Sequence, residues 1–304
     1  MKKTFIYSLI LSTVLSLSTS CSDDDSVDKN TNTGGNDTEL SFKDTLTIPS
    51  DAAYLGDSIQ RMTKFALNKH SVGKVTVSTT ENGHIAVLGG YKDYSAVYIY
   101  AKTDDNKMNL TNEKIKVLFE KYYLVNSQID GSEINVVVKE NPNVIHESDF
   151  QKLRVSIEVF APCQVSTKLN ISKGSIFVSN LDGNLHESSS VTGSIKYLNS
   201  RGERIVTGSQ NGSINLINTV ATESINANLN KGSIQIAVPI KTKTTLKLQS
   251  ATSVNAYVLN NSNFAGTKTK TIVDGKLNGG GYTINAVATI GNITFRWYDK
   301  DNEE

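Results

Sequence analysis

The sequence predicts an all-β fold, specifically a β-solenoid or β-helix-like stack of two-strand half-repeats with one short packing helix. Three observations carry that expectation. The tetrads Lys173-Gly174-Ser175-Ile176, Thr192-Gly193-Ser194-Ile195, Asn211-Gly212-Ser213-Ile214 and Lys231-Gly232-Ser233-Ile234 place their glycines 19, 19 and 20 residues apart. A fixed period of this length marks units that bury an apolar face only by stacking. Weaker half-repeats lie between the tetrads, around Leu185, Ile205 and Ile225, so each period holds two short strands. After each tetrad isoleucine the alternation continues, with Ile176 and Val178, Ile195 and Tyr197, Ile214 and Leu216, and Ile234 and Ile236 on one face. Phe177, Lys196, Asn215 and Gln235 take the other face, as a period of two requires. Asn211-Gly212 and Asp182-Gly183 are also hairpin dipeptides, and an antiparallel sandwich with tight turns is the alternative reading.

In chain order, Lys2 and Lys3 precede an apolar run from Phe5 to Leu17 and the small residues Ser18, Thr19 and Ser20. This is the layout of a secretory signal peptide over residues 1–20, and the apolar run is shorter than the ~20 residues a membrane helix needs. Cys21 follows directly. Residues 21–43 then read as an acidic and polar tether, since Val27 is the only apolar side chain between Ser22 and Glu39 apart from the glycines. Residues 44–304 are expected to form one β-domain, with the strongest repeats in 165–240.

Within that domain Lys74–Val77, His84–Val87, Ala96–Tyr100, Ile134–Val138 and Leu153–Val159 alternate or run apolar between turn residues, the pattern of strands. Asp57–Asn68 fits helix and strand equally well. Ile115, Leu118, Phe119 and Tyr122 recur at helical spacing and predict a helix over Asn112 to Tyr123 that packs across an open end of the sheets. Tyr282–Ile284 and Gly291–Phe295 read as the last strands, and the charged Asp299–Glu304 as a polar end that discourages edge-to-edge association.

The chain has two cysteines, and acylation of Cys21 would leave Cys163 without an intramolecular partner. Cys163, in Ala161-Pro162-Cys163, then reads as a small buried hydrophobe. The 31 basic and 30 acidic groups give a net charge of +1; without residues 1–20, which hold two lysines and no acids, 29 and 30 remain. A balance near −1 lacks the basic footprint of a nucleic-acid-binding protein.

Ser18-Thr19-Ser20-Cys21 resembles the lipobox of bacterial lipoproteins, with Cys21 as the lipid attachment site. It departs from the usual pattern at Ser18, where leucine is expected, so simple secretion is the alternative. Ser22, Asp23, Asp24 and Asp25 resemble the surface-export signal of Bacteroidota lipoproteins; a solvated start to the tether is the plainer reading. The stretches from Gly83 to Tyr100, from Glu113 to Lys139, and from Val155-Ser156-Ile157-Glu158-Val159-Phe160-Ala161-Pro162 through the Gly-Ser-Ile repeats to Pro239 together resemble the DUF4097 family of candidate adhesins with β-strand repeats. The resemblance covers roughly residues 70 to 297. It implies adhesion and supplies no catalytic, metal or cofactor residues.

The residues themselves offer no catalytic constellation. No nucleophile motif, zinc signature, phosphate loop or dinucleotide fingerprint is present, so no enzyme activity, metal or cofactor is expected. His84 occupies the slot that serines fill in the later tetrads and reads as a turn residue. His186 and Glu187 are neighbours whose side chains point to opposite faces of a strand. Glu203 and Glu223 alone appear in register, with Arg201 and Arg204 nearby. Tyr98 and Tyr100 share one strand face, opposite Val97 and Ile99, and are candidate ligand contacts because aromatic rings with polar tips suit glycan or protein recognition; packing under the helix is their structural alternative.

The expectation is a non-enzymatic, lipid-anchored protein of the outer membrane, exposed at the cell surface. It would hold the membrane through Cys21, engage a glycan, matrix or protein partner and bind no nucleic acid. A polysaccharide-active enzyme on a β-helix scaffold and a structural envelope-assembly protein are the alternatives.

Overall fold

A computed structural model of the chain describes residues 60–68, 72–90, 94–103, 110–145 and 153–298. The expected domain boundaries after residues 20 and 43 lie outside them, as do Cys21 to Asp25 and the charged end from Asp299. The described residues are mostly β-strand, gathered in one large sheet that does not close into a barrel.

The strands are β1 (Gln60–Asn68), β2 (Lys74–Leu88) and β3 (Tyr94–Thr103), followed by helix α1 (Asn112–Tyr122). Next come β4 (Tyr123–Asp130), β5 (Glu133–Glu140), β6 (Leu153–Phe160) and β7 (Ser166–Ser179). The long repeats are β8 (Asp182–Leu198), β9 (Arg201–Ile217) and β10 (Val220–Val238). The chain finishes with β11 (Thr244–Ser250), β12 (Ser253–Asn255), β13 (Phe264–Lys268), β14 (Ile272–Leu277) and β15 (Tyr282–Trp297). The two short strands expected per period are one continuous strand in β7 to β10, with its tetrad glycine at a φ of 132° to 141°. Asp57–Asn68, ambiguous in sequence, contributes β1.

Strands β2, β7, β8, β9, β10 and β15 lie side by side in that order, each parallel to the next. Register aligns Gly83, Gly174, Gly193, Gly212, Gly232 and Gly291 in one column, and Ile85, Ile176, Ile195, Ile214, Ile234 and Ile293 in another. All of these isoleucines are at most 1% exposed. Stacking identical side chains at roughly the 4.8 Å strand spacing builds a continuous apolar core from a pattern too short to bury itself. The odd step of 20 residues has a local cause. Between β9 and β10 the register shifts between Ala221 and Ser224, a bulge that absorbs one extra residue.

At the corners, Asn180, Asn199 and Asn218 adopt left-handed backbone angles, φ 55°, 50° and 46°. Asparagine tolerates this region better than most residues with a side chain. The Asn218 amide Nδ2 donates to Asn199 Oδ1 at 2.7 Å, tying successive corners together.

Both ends of the parallel stack are built alike. At one end β5 and β6 pair with the first and second halves of β2; at the other β11 and β12 pair with the two halves of β15. Antiparallel strands follow outward, β4 on β5, β3 on β6 and β1 on β3, and β14 on β11 with β13 outermost. Helix α1 begins at Thr111, whose hydroxyl accepts from the Lys114 N–H, and buries Ile115, Phe119 and Tyr122 in the main core. The expected helix therefore covers the β1–β3–β4 end.

Cys163 sits half-buried at the corner after β6 and is disulfide-bonded, which corrects its reading as a free small hydrophobe. The only other cysteine in the sequence is Cys21.

Candidate functional site

Alternation along each long strand sends one set of side chains inward and the next outward, and parallel register turns each set into a column. One corner interrupts this regularity. The inward column Ile171, Ser190, Ser209 and Leu229 runs across β7 to β10 and places two small hydroxyl residues between two large aliphatic ones. The adjacent outward column is Asn170, Ser189, Gly208, Asn228 and Val287, in which Gly208 carries no side chain. The missing volume opens a surface groove of about 510 Å³, within the size range of ligand sites.

Buried Ile171, Ser190, Ser209 and Leu229 line the groove together with exposed Ser189, Val191, Gln210, Asn228, Asn230 and Thr289. Gly208 and half-buried Val287 complete the lining, which includes no ionisable side chain. Gly208 is not in the left-handed region, and a β-carbon there would meet only the Asn228 carbonyl oxygen, at 3.7 Å. Its small size therefore shapes the groove and is not a demand of the backbone. Ser190 is 5% exposed and its hydroxyl makes no hydrogen bond within the protein. The Ser209 hydroxyl, by contrast, donates to the Asn211 carbonyl at 3.2 Å.

The residues singled out from sequence are not in this groove. Tyr98 is 2% exposed and packs edge-on against Phe160 at 5.7 Å, in a second small core with Ala86, Leu88, Ala96 and Phe177. It does not stand outward as expected, because that face of β3 is covered as well as the valine and isoleucine face. Nor does it pack under α1, whose apolar residues belong to the main core. Tyr100 is half-buried, stacks on Tyr98 at 6.4 Å, and donates its hydroxyl hydrogen to Glu158 Oε2 at 3.1 Å.

Glu203 and Glu223 do not pair, because the bulge between Ala221 and Ser224 breaks their register. Glu223 instead lies 3.9 Å from Arg204, both largely in solvent. His84 aligns with Ser175 as the repeat requires, and its Nδ1 is hydrogen-bonded to the Ser175 hydroxyl at 2.5 Å. Burial, with Lys102 and Arg154 nearby, lowers its pKa to about 4.

His186 points into the core and is fully buried, while Glu187 faces out toward Lys168 at 3.8 Å. His186 Nε2 lies 2.9 Å from the Arg201 carbonyl and 3.3 Å from the Gly183 N–H, and Nδ1 lies 3.0 Å from the Thr167 hydroxyl. Burial lowers the His186 pKa to about 4 and raises that of neighbouring Tyr197 to about 12. Among the described residues no group of three or more His, Cys, Asp or Glu could hold a metal ion, and no helix is long and apolar enough to cross a membrane.

No family model and no curated protein matches the sequence. Solved structures give partial overlaps. A candidate cell adhesion protein from Clostridium sporogenes is 11% identical, covers 78% of this chain and all of its own, and superposes with a TM-score of 0.45. A candidate adhesin from Bacteroides fragilis is 12% identical over 77% of this chain and 95% of its own, with a TM-score of 0.25. A candidate lipid-binding protein from Parabacteroides distasonis is 11% identical over 78% and 94%, also with a TM-score of 0.25. With TM-scores below 0.5, these overlaps decide neither fold nor function.

The groove residues escaped sequence reasoning because the tetrads dominate the repeat. Two signals were available. Gly208 is a glycine outside the Gly-Ser-Ile register, and Val191 is an aliphatic residue at a corner, 46% exposed.

Proposed function

We propose that this chain is a non-enzymatic, cell-surface binding protein whose rungs wind as a β-solenoid and whose outer wall contacts its partner. The observation that carries this reading is the corner groove. It offers hydroxyl, amide and aliphatic contacts but no ionisable group to donate or accept a proton, so it is equipped to bind and not for general acid–base chemistry. The parallel register carried from β2 to β15, interrupted only by single bulges, supports the solenoid reading, because both halves of each strand send their inward columns into one apolar cluster.

Anchoring through acylated Cys21, with Ser22, Asp23, Asp24 and Asp25 directing export to the outer surface of the outer membrane, is part of this proposal. A single acyl chain binds marginally and several hold stably. Acylation and a disulfide compete for the Cys21 sulfur, so the anchor requires that the mature chain carry lipid there in place of a bridge to Cys163. Mass spectrometry of the mature protein should find Cys21 acylated, and Cys21→Ala should release the chain from membranes. A mature protein that carries no lipid on Cys21 would sink the anchor. Surface labelling unchanged after Asp23, Asp24 and Asp25 are all replaced by Ala would sink the export signal.

The binding role is tested by adhesion of the purified chain from Ser22 onward to cells, glycans and matrix proteins. Bond cleavage by this chain, abolished by replacing Glu203 or Glu223, would favour the polysaccharide-active alternative. The assembly alternative needs an uncapped apolar end, whereas both ends of the described stack carry antiparallel strands.

A further inference from the structure

Resting on the binding role proposed above, we infer that the Gly208 groove is the contact site and that its ligand is an uncharged polysaccharide. Charge decides the first half of the ligand's chemistry. A charged group entering a partly buried site loses hydration that only a countercharge or aimed dipoles restore, and none of the lining residues is ionisable. The lining instead offers donors and acceptors in one side chain, the amides of Gln210, Asn228 and Asn230 and the hydroxyl of Thr289, and the Ser189 hydroxyl, which donates to Asn170 Oδ1 at 2.6 Å, can still accept. Sugar hydroxyls have the same double character.

The buried Ser190 hydroxyl points the same way. It lines the groove, is 5% exposed and makes no hydrogen bond within the protein. A buried hydroxyl left unpaired is costly, and a ligand hydroxyl in the groove would satisfy it. Val191, Leu229 and Val287 give the apolar contact that the C–H faces of sugar rings need.

Peptides fit less well. β7, β8, β9, β10 and β15 each have hydrogen-bonded neighbours on both sides, so the groove has no free sheet edge for an added strand. Its lining holds no aromatic residue to receive a polyproline segment and no arginine cluster for an acidic motif.

The test uses the chain from Ser22 to Glu304 on arrayed mannan, dextran and arabinogalactan, with polygalacturonate and heparin as charged controls. Gly208→Leu fills the groove where a β-carbon has room, and Ser190→Ala removes the unpaired hydroxyl without breaking a bond. The expected result is binding to a neutral polymer, weakened at least 10-fold in each variant, with melting temperatures equal to or above that of the unmodified chain. Equal binding by both variants would overturn the groove assignment and leave the binding role standing. Binding to the charged polymers alone, or adhesion to cells or matrix protein with no polysaccharide bound, would overturn the ligand assignment and leave that role intact. Absence of adhesion to every surface would sink both.

Discussion

A β-carbon on Gly212 would lie 1.8 Å from the carbonyl oxygen of Gly193 in the neighbouring rung. The same approach repeats along the column, and Gly174, Gly193, Gly212, Gly232 and Gly291 all have φ between 132° and 142°. These glycines are required twice, by backbone angle and by the rung beside them. Gly212→Ala should therefore cost at least about 3 kcal/mol, combining left-handed strain with overpacking. Gly208→Ala, where the nearest atom is at 3.7 Å, should be neutral or stabilise by up to about 1 kcal/mol. Urea unfolding of the two variants checks this, and equal losses would contradict the geometry.

Ile214 is fully buried between Ile195 and Ile234, while Asn215 is half-buried on the opposite face of β9. Ile214→Ala should destabilise by about 2–5 kcal/mol. Asn215→Ser should change stability by about 0.5 kcal/mol or less, as outer-face substitutions do. Similar losses from both would mean that the core does not lie on the isoleucine side.

Stability should fall on acidification because His186 is held neutral. Its folded pKa of about 4 lies below the ordinary 6.5, so between these values the unfolded chain binds a proton that the folded chain does not. The stabilisation is complete above pH 6.5 and is lost as pH drops toward 4. The loss reaches on the order of 3 kcal/mol for a shift of this size. Thr167, Tyr197, the Arg201 carbonyl and more distant Asp182 surround the ring, and the favourable effect of Asp182 does not outweigh burial. His84, facing Lys102 and Arg154, titrates in the same window. The slope of unfolding free energy against pH should thus drop by about one proton in His186→Gln. An unchanged slope would show that the ring is not buried in solution.

Tyr98→Ala should cost about 3–5 kcal/mol, because it empties a fully packed aromatic site. Tyr100→Phe removes one half-buried hydrogen bond to Glu158 and should cost about 1 kcal/mol. Melting curves separate the two effects. A Tyr98→Ala variant as stable as the parent would return this ring to the outer surface.

The isoleucine columns, the helix ending in Tyr122 and the serine-like slot of His84 were legible because each depends on local periodicity that packing then reinforces. Placement of Tyr98 was not, since alternation assigns a side chain to a face without saying whether that face is covered. The groove was hidden for a related reason. It arises where Ser190, Ser209 and Gly208 from neighbouring rungs leave volume unfilled, a property of columns across the chain that no single stretch of sequence displays.

Strand β15 lies between β10 and β11, although β11 to β14 precede it in the chain. As the polypeptide emerges during synthesis, β7 to β10 can settle one upon another in order of appearance. Residues 244–277 must instead wait beside an empty slot until residues 282–297 arrive to occupy it. Completion of this end is thus a wedging event that depends on the last long strand, and a chain stopped before Tyr282 would leave β10 and β11 each with an unpaired ladder. Such a product would be prone to join copies of itself.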